Sequence, residues 1–234
     1  MVKPILSIIT VVYNDSNGLC KTINSIINQS IIIKIEYIII DGGSSDNTIN
    51  IIKKYSNYVD YWISESDEGI YHAMNKGVQV STGESLLFLN AGDYFVGDVI
   101  NELNFKYPAL IPVKYKSRFG TLTRFKKRNY KFSPPYCHQG IVFENKKLFY
   151  DLKYSIMADY DYYLQHNYTT LKMIKADGYV LYDNNGISTS QYLLKYREVS
   201  QIIKKNFPLF NYYIYRVRSS FKHYIKTILN ALNL

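Results

Sequence analysis

The sequence predicts an α/β fold with a mainly parallel, mixed sheet flanked by helices. Apolar runs rich in strand-forming residues alternate with helix-like patterns over residues 5–89, an order typical of parallel sheets. The strand segments are apolar almost throughout, as expected for strands that are buried on both faces. Two of them are followed by carboxylates, at Asp41 and Asp93. Because ligands bind beyond the strand ends of such sheets, a site is expected at this edge.

The first half is predicted to follow the order β-α-β-α-β-α-β. Its turn chemistry is most explicit after the second strand, where Gly42 and Gly43 permit a tight turn and Asp46 and Asn47 suit the start of a helix. The predicted strands are Ile5–Val12, Glu36–Asp41, Val59–Ser64 and Ser85–Leu89, and the predicted helices are Gly18–Gln29, Thr48–Tyr55 and Ile70–Ser81.

The second half is predicted to mix strands and helices less regularly. Strands are expected at Leu110–Lys116 and Gly120–Lys126, as a hairpin, and at Gln139–Glu144, Lys172–Ala176 and Tyr179–Asp183, with a helix at Ile156–Gln165. From Gln191 the chain is predicted to be helical, with a break at Pro208. We therefore predict a main domain over residues 1–190 and a helical, basic C-terminal extension over residues 191–234.

Composition limits the classes of protein to consider. The chain has 234 residues and a hydrophobic fraction of 47%, enough for a large core. Its two cysteines, Cys20 and Cys137, are far apart, which argues against a disulfide framework and a zinc site. The apolar start Ile5–Val12 is short and is interpreted as a strand rather than a signal peptide. No apolar run is long enough to span a bilayer, and a cytoplasmic location is expected.

The charge is concentrated near the C-terminus. The net charge is +9, and no Asp or Glu follows Glu198. Aromatic and aliphatic residues alternate with lysines and arginines from Pro208 onward. This pattern is typical of a helix at an anionic membrane surface, on the inner face of the cytoplasmic membrane. A helix packed on the domain, with its basic face exposed, is the alternative.

Five motifs in order resemble those of family 2 glycosyltransferases of the GT-A fold. Any one of them is weak, but their order over residues 5–190 makes coincidence improbable. They are Ser7–Asn14, Ile40–Thr48, Asp67–Gly77, Phe88–Asp93 and Ala158–Asp161.

The resemblance implies a nucleotide-sugar site at the strand ends. Base and ribose contacts are expected from Tyr13, Asn14, Asp41 and Ser44, with Thr10 on the same strand. Asp41 is the strongest of these candidates, because a carboxylate can accept the imide N–H of uracil, which cytosine lacks. Ribose and diphosphate contacts are expected from Asp67, Asn75 and Lys76. The alternative for Lys76 is an exposed lysine on a helix that contacts no ligand.

The resemblance also implies a metal and a catalytic base. The family's Asp-x-Asp metal motif is reduced here to Asn90-Ala91-Gly92-Asp93. Asp93, helped by the carbonyl of Asn90, is expected to bind Mg²⁺ or Mn²⁺ together with the donor diphosphate. Asp159 matches the general base that deprotonates the acceptor hydroxyl. Asp161 is two residues further along the helix, about 200° around its axis, and is expected to be structural.

The acceptor side is expected to include His138 and Gln139, with Gly186–Ser190 as a loop that closes over the diphosphate. The predicted function is therefore inverting transfer of a sugar, most plausibly from a UDP-sugar, to a hydroxyl of a glycan acceptor. The acceptor is expected to be lipid-linked, for example to a polyprenyl diphosphate, in surface polysaccharide synthesis, and no nucleic acid partner is expected. A sugar-phosphate nucleotidyltransferase and a basic nucleic-acid-binding protein are the alternatives.

Overall fold

A computed structural model describes residues 3–30, 33–103, 108–116, 122–168, 171–182 and 191–231, the last eleven of them by their backbone alone. The strands are β1 Leu6–Val12, β2 Ile35–Asp41, β3 Tyr61–Ser64, β4 Ser85–Phe88, β5 Tyr94–Val96, β6 Ala109–Leu110, β7 Val113–Lys116, β8 Leu122–Arg124, β9 Ile141–Glu144, β10 Lys172–Met173 and β11 Tyr179–Tyr182. The helices are α1 Ser16–Ile27, α2 Thr48–Lys54, α3 Ile70–Val80, α4 Ala158–Gln165, α5 Tyr192–Asn206 and α6 Leu209–Ala231.

The main sheet has seven strands in the order β10-β6-β9-β4-β1-β2-β3. β4, β1, β2 and β3 run parallel, whereas β9 is antiparallel to both β4 and β6. A second sheet has the order β5-β11-β7-β8. The predicted α/β class, with a mainly parallel mixed sheet, is confirmed.

The side chains of β1 contribute alternately to two hydrophobic layers, one on each face of the sheet. Ile9 and Val11 point to one face of the sheet, and Ile8 and Val12 point to the other. The first face is covered by residues of α3, α4 and α5, and the second by residues of α1 and α2. Because both faces are buried, the polar ends of the strands are the part of the sheet left for a ligand.

The predicted strand Leu110–Lys116 is divided in the structure. Its first part is β6 of the main sheet and its second part is β7 of the second sheet, with Ile111 and Pro112 between them. Proline has no N–H for a strand ladder, so the chain leaves the first sheet at this point. The hairpin is confirmed by the antiparallel pairing of β7 with β8. The short strand β5 was not predicted.

The C-terminal helices lie where the break at Pro208 predicts them. Val199, Ile202 and Ile203 of α5 are buried in the same hydrophobic cluster as residues of α3 and α4. α6 packs on α5, with the rings of Tyr196 and Tyr215 stacked at 5.6 Å. None of the described helices is long and apolar enough to cross a membrane.

Candidate active site

The ends of β1 and β2 are tied together by a compact hydrogen-bond network. Asp41 is fully buried, and its carboxylate accepts from the Ser44 N–H at 3.0 Å, the Ser44 hydroxyl at 2.5 Å and the Ser64 hydroxyl at 2.5 Å. The Asn14 N–H donates to Ser44 Oγ at 2.7 Å, and Asn14 Oδ1 accepts from the Ser45 N–H at 2.8 Å. Asp41, Ser44 and Asn14 therefore shape this turn, and Asp41 does not present a free face to a ligand.

Thr10 does not reach this edge. Its side chain is fully buried, donates to the Leu89 carbonyl oxygen at 2.8 Å and accepts from the Tyr37 hydroxyl at 3.2 Å. The expected nucleotide contact of Thr10 is therefore corrected to a link between β1 and neighbouring strands. The motif placed Thr10 near the strand end, but strand alternation turns its side chain into the core.

Tyr13, Gly42 and Asp67 form the open part of the edge. Tyr13 is 66% exposed, which is unusual for a large aromatic ring. Asp67 is half-buried in the turn after β3, and its Oδ1 accepts from the Gly69 N–H at 2.8 Å. Its Oδ2 lies against the Cα of Gly42. A ring and a carboxylate side by side are what a planar base with N–H donors requires.

Two residues of the third motif are held by the protein itself. Asn75 pairs with the backbone of Tyr150, donating to its carbonyl oxygen at 3.0 Å and accepting from its N–H at 2.7 Å. Lys76 donates to the Ser66 carbonyl oxygen at 3.0 Å and forms an ion pair with Glu65 at 2.9 Å. Asn75 thus anchors Tyr150 and Lys76 braces the turn that carries Asp67, while their expected contacts to ribose and diphosphate stay predictions.

The turn after β4 is held by Thr22, a buried residue of α1. Its hydroxyl donates to the Asp93 carbonyl oxygen at 2.7 Å and accepts from the Gly92 N–H at 3.1 Å. Gly92 has φ +92, a value that favours glycine. The clamp fixes Asp93, which is 3% exposed, at the carboxyl end of β4.

Asn90 and Asp93 offer oxygen ligands of the kind that Mg²⁺ and Mn²⁺ prefer. Asn90 Oδ1 is buried and has no hydrogen-bond partner among the described residues, so an amide oxygen is left without a partner beside the Asp93 turn. No group of three or more His, Cys, Asp or Glu side chains in the described part of the chain is arranged to hold a metal. The residues thus fit a cation that takes its remaining ligands from a diphosphate and water.

Asp159 is the second residue of α4 and is half-buried. Burial raises the pKa of its carboxyl to about 6. The Tyr160 N–H, which donates to Oδ1 at 2.8 Å, the charge of Lys195 and the neighbouring Tyr71 side chain oppose this rise. A carboxylate with a pKa near neutrality is suited to accept a proton during a reaction.

Asp161 occupies the opposite side of α4 and is fully buried. Both its oxygens accept from Lys205 Nζ at 3.0 Å, and Gln165 and Asn206 donate to it as well. Its carboxylate ties α4 to α5. The structural role expected for Asp161 is confirmed.

Asp93 and Asp159 are separated by 65 residues in the chain, but both act electrostatically on the thiol of Cys137. Burial raises the pKa of the Cys137 thiol, and the negative charges of Asp93 and Asp159 raise this pKa further. The charge of Arg128 acts on Cys137 in the opposite direction. A candidate metal ligand and a candidate base are therefore both within electrostatic range of one buried thiol.

His138 is not an acceptor-side group. It is 7% exposed, its Nε2 is 2.7 Å from the Tyr150 hydroxyl, and its ring packs on Phe88 at 5.0 Å. Burial lowers its pKa to about 3, so it is neutral at physiological pH. The expected role of His138 is corrected to an aromatic core residue. Gln139 is half-buried, and its Oε1 accepts from Cys137 Sγ at 3.1 Å. The loop Gly186–Ser190 lies outside the described residues.

Four further residues at the site were not predicted from the sequence. Tyr71 and Lys195 act on Asp159, Thr22 holds the Asp93 turn, and Glu198 holds the turn before α4. Each lies on a helix distant in sequence from the residue it contacts. Glu198 is the last acidic residue of the sequence, but the sequence does not show which residues it contacts.

Comparison with known proteins agrees with the geometry. The model of glycosyl transferase family 2 matches residues 7–106. A glycosyltransferase of PGL/p-HBAD biosynthesis from Mycobacterium bovis is 31% identical over 181 residues, covering 69% of this chain and 69% of the relative. The chain belongs to glycosyl transferase family 2. The resemblance inferred from the five motifs is thus confirmed.

A further relative and solved structures are also similar to this family 2 chain. An uncharacterised glycosyltransferase of Mycobacterium tuberculosis is 41% identical over 98 residues, and the match spans 42% of the chain and 37% of that relative. TarS of S. aureus in complex with UDP shares the fold, with a TM-score of 0.64 at 16% identity over 85% of this chain and 64% of that one.

The mannosyltransferase PcManGT from Pyrobaculum calidifontis in complex with GDP-Man and Mn²⁺ gives a TM-score of 0.61 at 14% identity. That match covers 88% of this chain and 64% of that one. The predicted GT-A fold is confirmed.

Proposed function

We propose that this chain is an inverting glycosyltransferase that moves a sugar from a nucleotide-sugar, most plausibly a UDP-sugar, to a hydroxyl of a glycan acceptor. The observation that carries the proposal is that Asp93, in the turn after β4, and Asp159, at the start of α4, both act electrostatically on the buried Cys137 thiol. One carboxylate is placed for the diphosphate side and the other for the acceptor side. Solved structures of the same fold hold UDP and GDP-Man.

Donor recognition is assigned to Tyr13 and Asp67. The exposed ring of Tyr13 offers a stacking surface for the base, and the Asp67 carboxylate beside Gly42 can accept the imide N–H of uracil. Asp41, predicted as the base contact, supports this site by holding Ser44 and Ser64. Its burial leaves the direct contact to Asp67.

The transfer step is assigned to Asp159. The acceptor oxygen attacks the anomeric carbon from the face opposite the diphosphate, the new C–O bond forms, and the bond to the phosphate oxygen breaks. Asp159 takes the hydroxyl proton as this bond forms, and the nucleoside diphosphate leaves with the electron pair. Such a base contributes about 10²–10⁴ in rate, and attack opposite the leaving group inverts the anomeric configuration.

A divalent cation would be held by Asp93 and the Asn90 carbonyl. When bound, Mg²⁺ or Mn²⁺ supplies positive charge for the leaving diphosphate. The chain's own contribution is the Thr22 clamp, which fixes both residues in one turn. A single carboxylate predicts weak binding of the cation until the donor is present.

The acceptor is proposed to carry phosphate, as a polyprenyl diphosphate-linked glycan does. A cavity of about 400 Å³ lies between residues 128–133 and α6, lined by Arg128, Arg218, Phe132 and Tyr215. Neither guanidinium forms an ion pair with a carboxylate of the described residues. Lys195 is affected by the charges of both Asp159 and Arg128. Cations therefore extend from the base toward this cavity.

The outer face of α6 is proposed to contact an anionic membrane. Phe210, Tyr213 and Val217 are 71%, 61% and 70% exposed and recur at helical spacing. Arg216 lies beside them. An exposed apolar stripe with flanking cations is typical of interfacial helices. Such a contact would hold the enzyme close to a lipid-linked acceptor.

The turn after β1 argues against the alternative of a sugar-phosphate nucleotidyltransferase. Such an enzyme would hold phosphate at the N-terminus of the first helix. Here the Asp15 carboxylate accepts from the Gly18 N–H at 2.8 Å and caps α1. A carboxylate in that position repels a phosphate.

A panel of nucleotide-sugars tests the proposal. A ligand that binds only the folded chain raises the melting temperature, so we expect UDP-sugars to stabilise the protein and Mn²⁺ to increase the effect. Hydrolysis of the stabilising donor should collapse in Asp159→Asn. No stabilisation by any nucleotide-sugar, or full hydrolysis in that variant, would contradict the proposal.

A further inference from the structure

Glu198 of α5 places a buried carboxylate against the turn that precedes α4. It is 3% exposed, and its oxygens accept four hydrogen bonds. Oε1 accepts from the Ser155 N–H at 2.8 Å and the Ser155 hydroxyl at 2.9 Å. Oε2 accepts from the Ile156 N–H at 3.0 Å and the Met157 N–H at 2.9 Å. The whole carboxylate is therefore committed to this turn.

The turn has no cap of its own. Met157 is the residue before α4 and provides no side-chain cap, so the first N–H groups of the helix depend on other partners. Glu198 supplies one from a different helix, at the end where the helix dipole favours negative charge. Asp159 is only two residues beyond Met157. The contact that fixes the helix start thus also fixes the candidate base.

A second helix holds the same turn from the opposite side. The Tyr71 hydroxyl of α3 donates to the Ile156 carbonyl oxygen at 2.7 Å. The N–H groups of the turn are therefore held by Glu198, and one of its carbonyl groups is held by Tyr71. With both sides of the peptide fixed, the turn cannot rotate without breaking a buried hydrogen bond.

We infer that Glu198 is a positioning residue, which sets the place and direction of the Asp159 carboxylate through the turn 155–157. The inference rests on the proposed function, in which Asp159 is the base. Glu198 forms no ion pair within the described residues. Its charge is balanced by the four donors, since a buried carboxylate without such donors would be strongly destabilising.

The rival interpretation is that Glu198 only joins α5 to α4. Asp161 provides a matched control, because it is a buried carboxylate that also joins these helices, through Lys205. Its side chain lies on the other side of α4, and its carboxylate accepts from Lys205, Gln165 and Asn206 rather than from the turn. Asp161→Asn should loosen the α4–α5 packing without moving Asp159, whereas Glu198→Gln turns an amide NH₂ toward N–H groups that need an acceptor.

The experiment compares Glu198→Gln, Ser155→Ala and Asp161→Asn with the unmodified full chain. Three quantities are measured well below the lowest melting temperature: thermal stability, UDP affinity with Mn²⁺, and kcat for hydrolysis of the UDP-sugar that stabilises the chain most. A displacement of about 1 Å at a reacting group costs roughly 10²-fold in rate. We expect Glu198→Gln to lose kcat on that scale at unchanged UDP affinity.

Ser155→Ala removes one hydrogen bond, so its kcat should fall by roughly 2- to 10-fold. It keeps the inference testable if Glu198→Gln does not fold. Asp161→Asn should lower stability while its kcat stays within about twofold.

Equal kcat for Glu198→Gln and Asp161→Asn, or a kcat that simply follows stability in all variants, would overturn the positioning role. An unchanged kcat in Ser155→Ala would do the same. The proposed function is tested separately by Asp159→Asn. If Asp159→Asn is inactive and Glu198→Gln is fully active, only the positioning role fails.

Discussion

The Asp67 carboxylate lies so close to the Cα of Gly42 that a methyl group on Gly42 would be 2.6 Å from Oδ2. The same methyl group would be 3.4 Å from Cδ2 of Tyr13. A contact of 2.6 Å is far inside van der Waals distance, so Gly42 leaves the space that Asp67 occupies. The absent side chain in the turn after β2 therefore brings a carboxylate from the turn after β3 beside Tyr13.

Removing the charge of Asp67 is expected to weaken UDP binding by about 1.5–3 kcal/mol, the value of a hydrogen bond to a charged group. Gly42→Ala should weaken it in the same direction, because the methyl group displaces Asp67. Calorimetric titration with UDP measures both. Ser45→Ala, an exposed neighbour, should bind UDP normally.

Asp41→Asn, compared with Asp67→Asn, tests which of the two carboxylates contacts the base. Since Asp41 is buried and hydrogen-bonded within the turn, the main effect of Asp41→Asn should be a lower melting temperature. If Asp67→Asn binds UDP normally while Asp41→Asn loses affinity at unchanged stability, the base contact belongs to Asp41.

Asp93→Ala is expected to abolish the stimulation of donor hydrolysis by Mn²⁺ and to leave the fold intact. Asn90→Ala should weaken Mn²⁺ binding in the presence of UDP, because its amide oxygen has no other partner in the described chain. Electron paramagnetic resonance of Mn²⁺ measures binding independently of turnover. Normal Mn²⁺ binding and activity in Asp93→Ala would remove that residue from the metal site.

Turnover is expected to fall as the pH drops through about 6, because burial raises the pKa of Asp159 to about 6 and the base must be ionised. The contribution of Asp159 to the free energy of unfolding should depend on pH in the opposite direction. A raised folded-state pKa stabilises the chain at low pH, and that contribution disappears as the pH rises through about 6.

The melting temperature of Asp159→Asn should therefore exceed that of the unmodified chain by more at about pH 7 than at about pH 5. A scan of both proteins across this range checks the sign. A flat rate profile together with a constant difference in melting temperature would show that Asp159 keeps an ordinary pKa.

Truncation after Phe207 is expected to reduce sedimentation with anionic vesicles and to spare donor hydrolysis. The truncated chain keeps Glu198 and Lys205, and with them the contacts of α5 to α4. In the full chain, replacing Phe210, Tyr213 and Val217 by serine should have the same effect, because the exposed apolar stripe is lost. Equal sedimentation of all three proteins would assign α6 to packing on the domain.

The strand and helix order over residues 5–89 could be predicted because periodicity and turn residues there are local signals. The predicted strand Ser85–Leu89, for example, differs from β4 by one residue. The division of the predicted strand Leu110–Lys116 between two sheets could not be predicted, because only the tertiary structure shows that the chain changes sheets at Pro112. The short strand β5 leaves too few residues for a periodic pattern.

The site was predictable at the strand ends and less so on the helices. Tyr13 and Asp67 lie together beside Gly42, and Asp93 and Asp159 both act on Cys137, while their roles in binding and catalysis stay predictions. Thr10, Asn75 and Lys76 occur in the motifs but bind backbone groups of the protein, and His138, outside the motifs, packs in the core. Whether a polar side chain meets a ligand or its own chain depends on neighbours that a single sequence does not disclose. Glu198 and Thr22 escaped prediction for that reason.

Donor hydrolysis and UDP affinity, measured in Asp159→Asn and in Asp161→Asn, decide whether Asp159 is the general base. Asn keeps the size and hydrogen bonding of the side chain but cannot take the proton. We expect normal UDP affinity and a loss of about 10²–10⁴ in turnover for Asp159→Asn, with a mild effect for Asp161→Asn. An active Asp159→Asn beside an inactive Asp161→Asn would contradict it, and the base would then have to be reassigned.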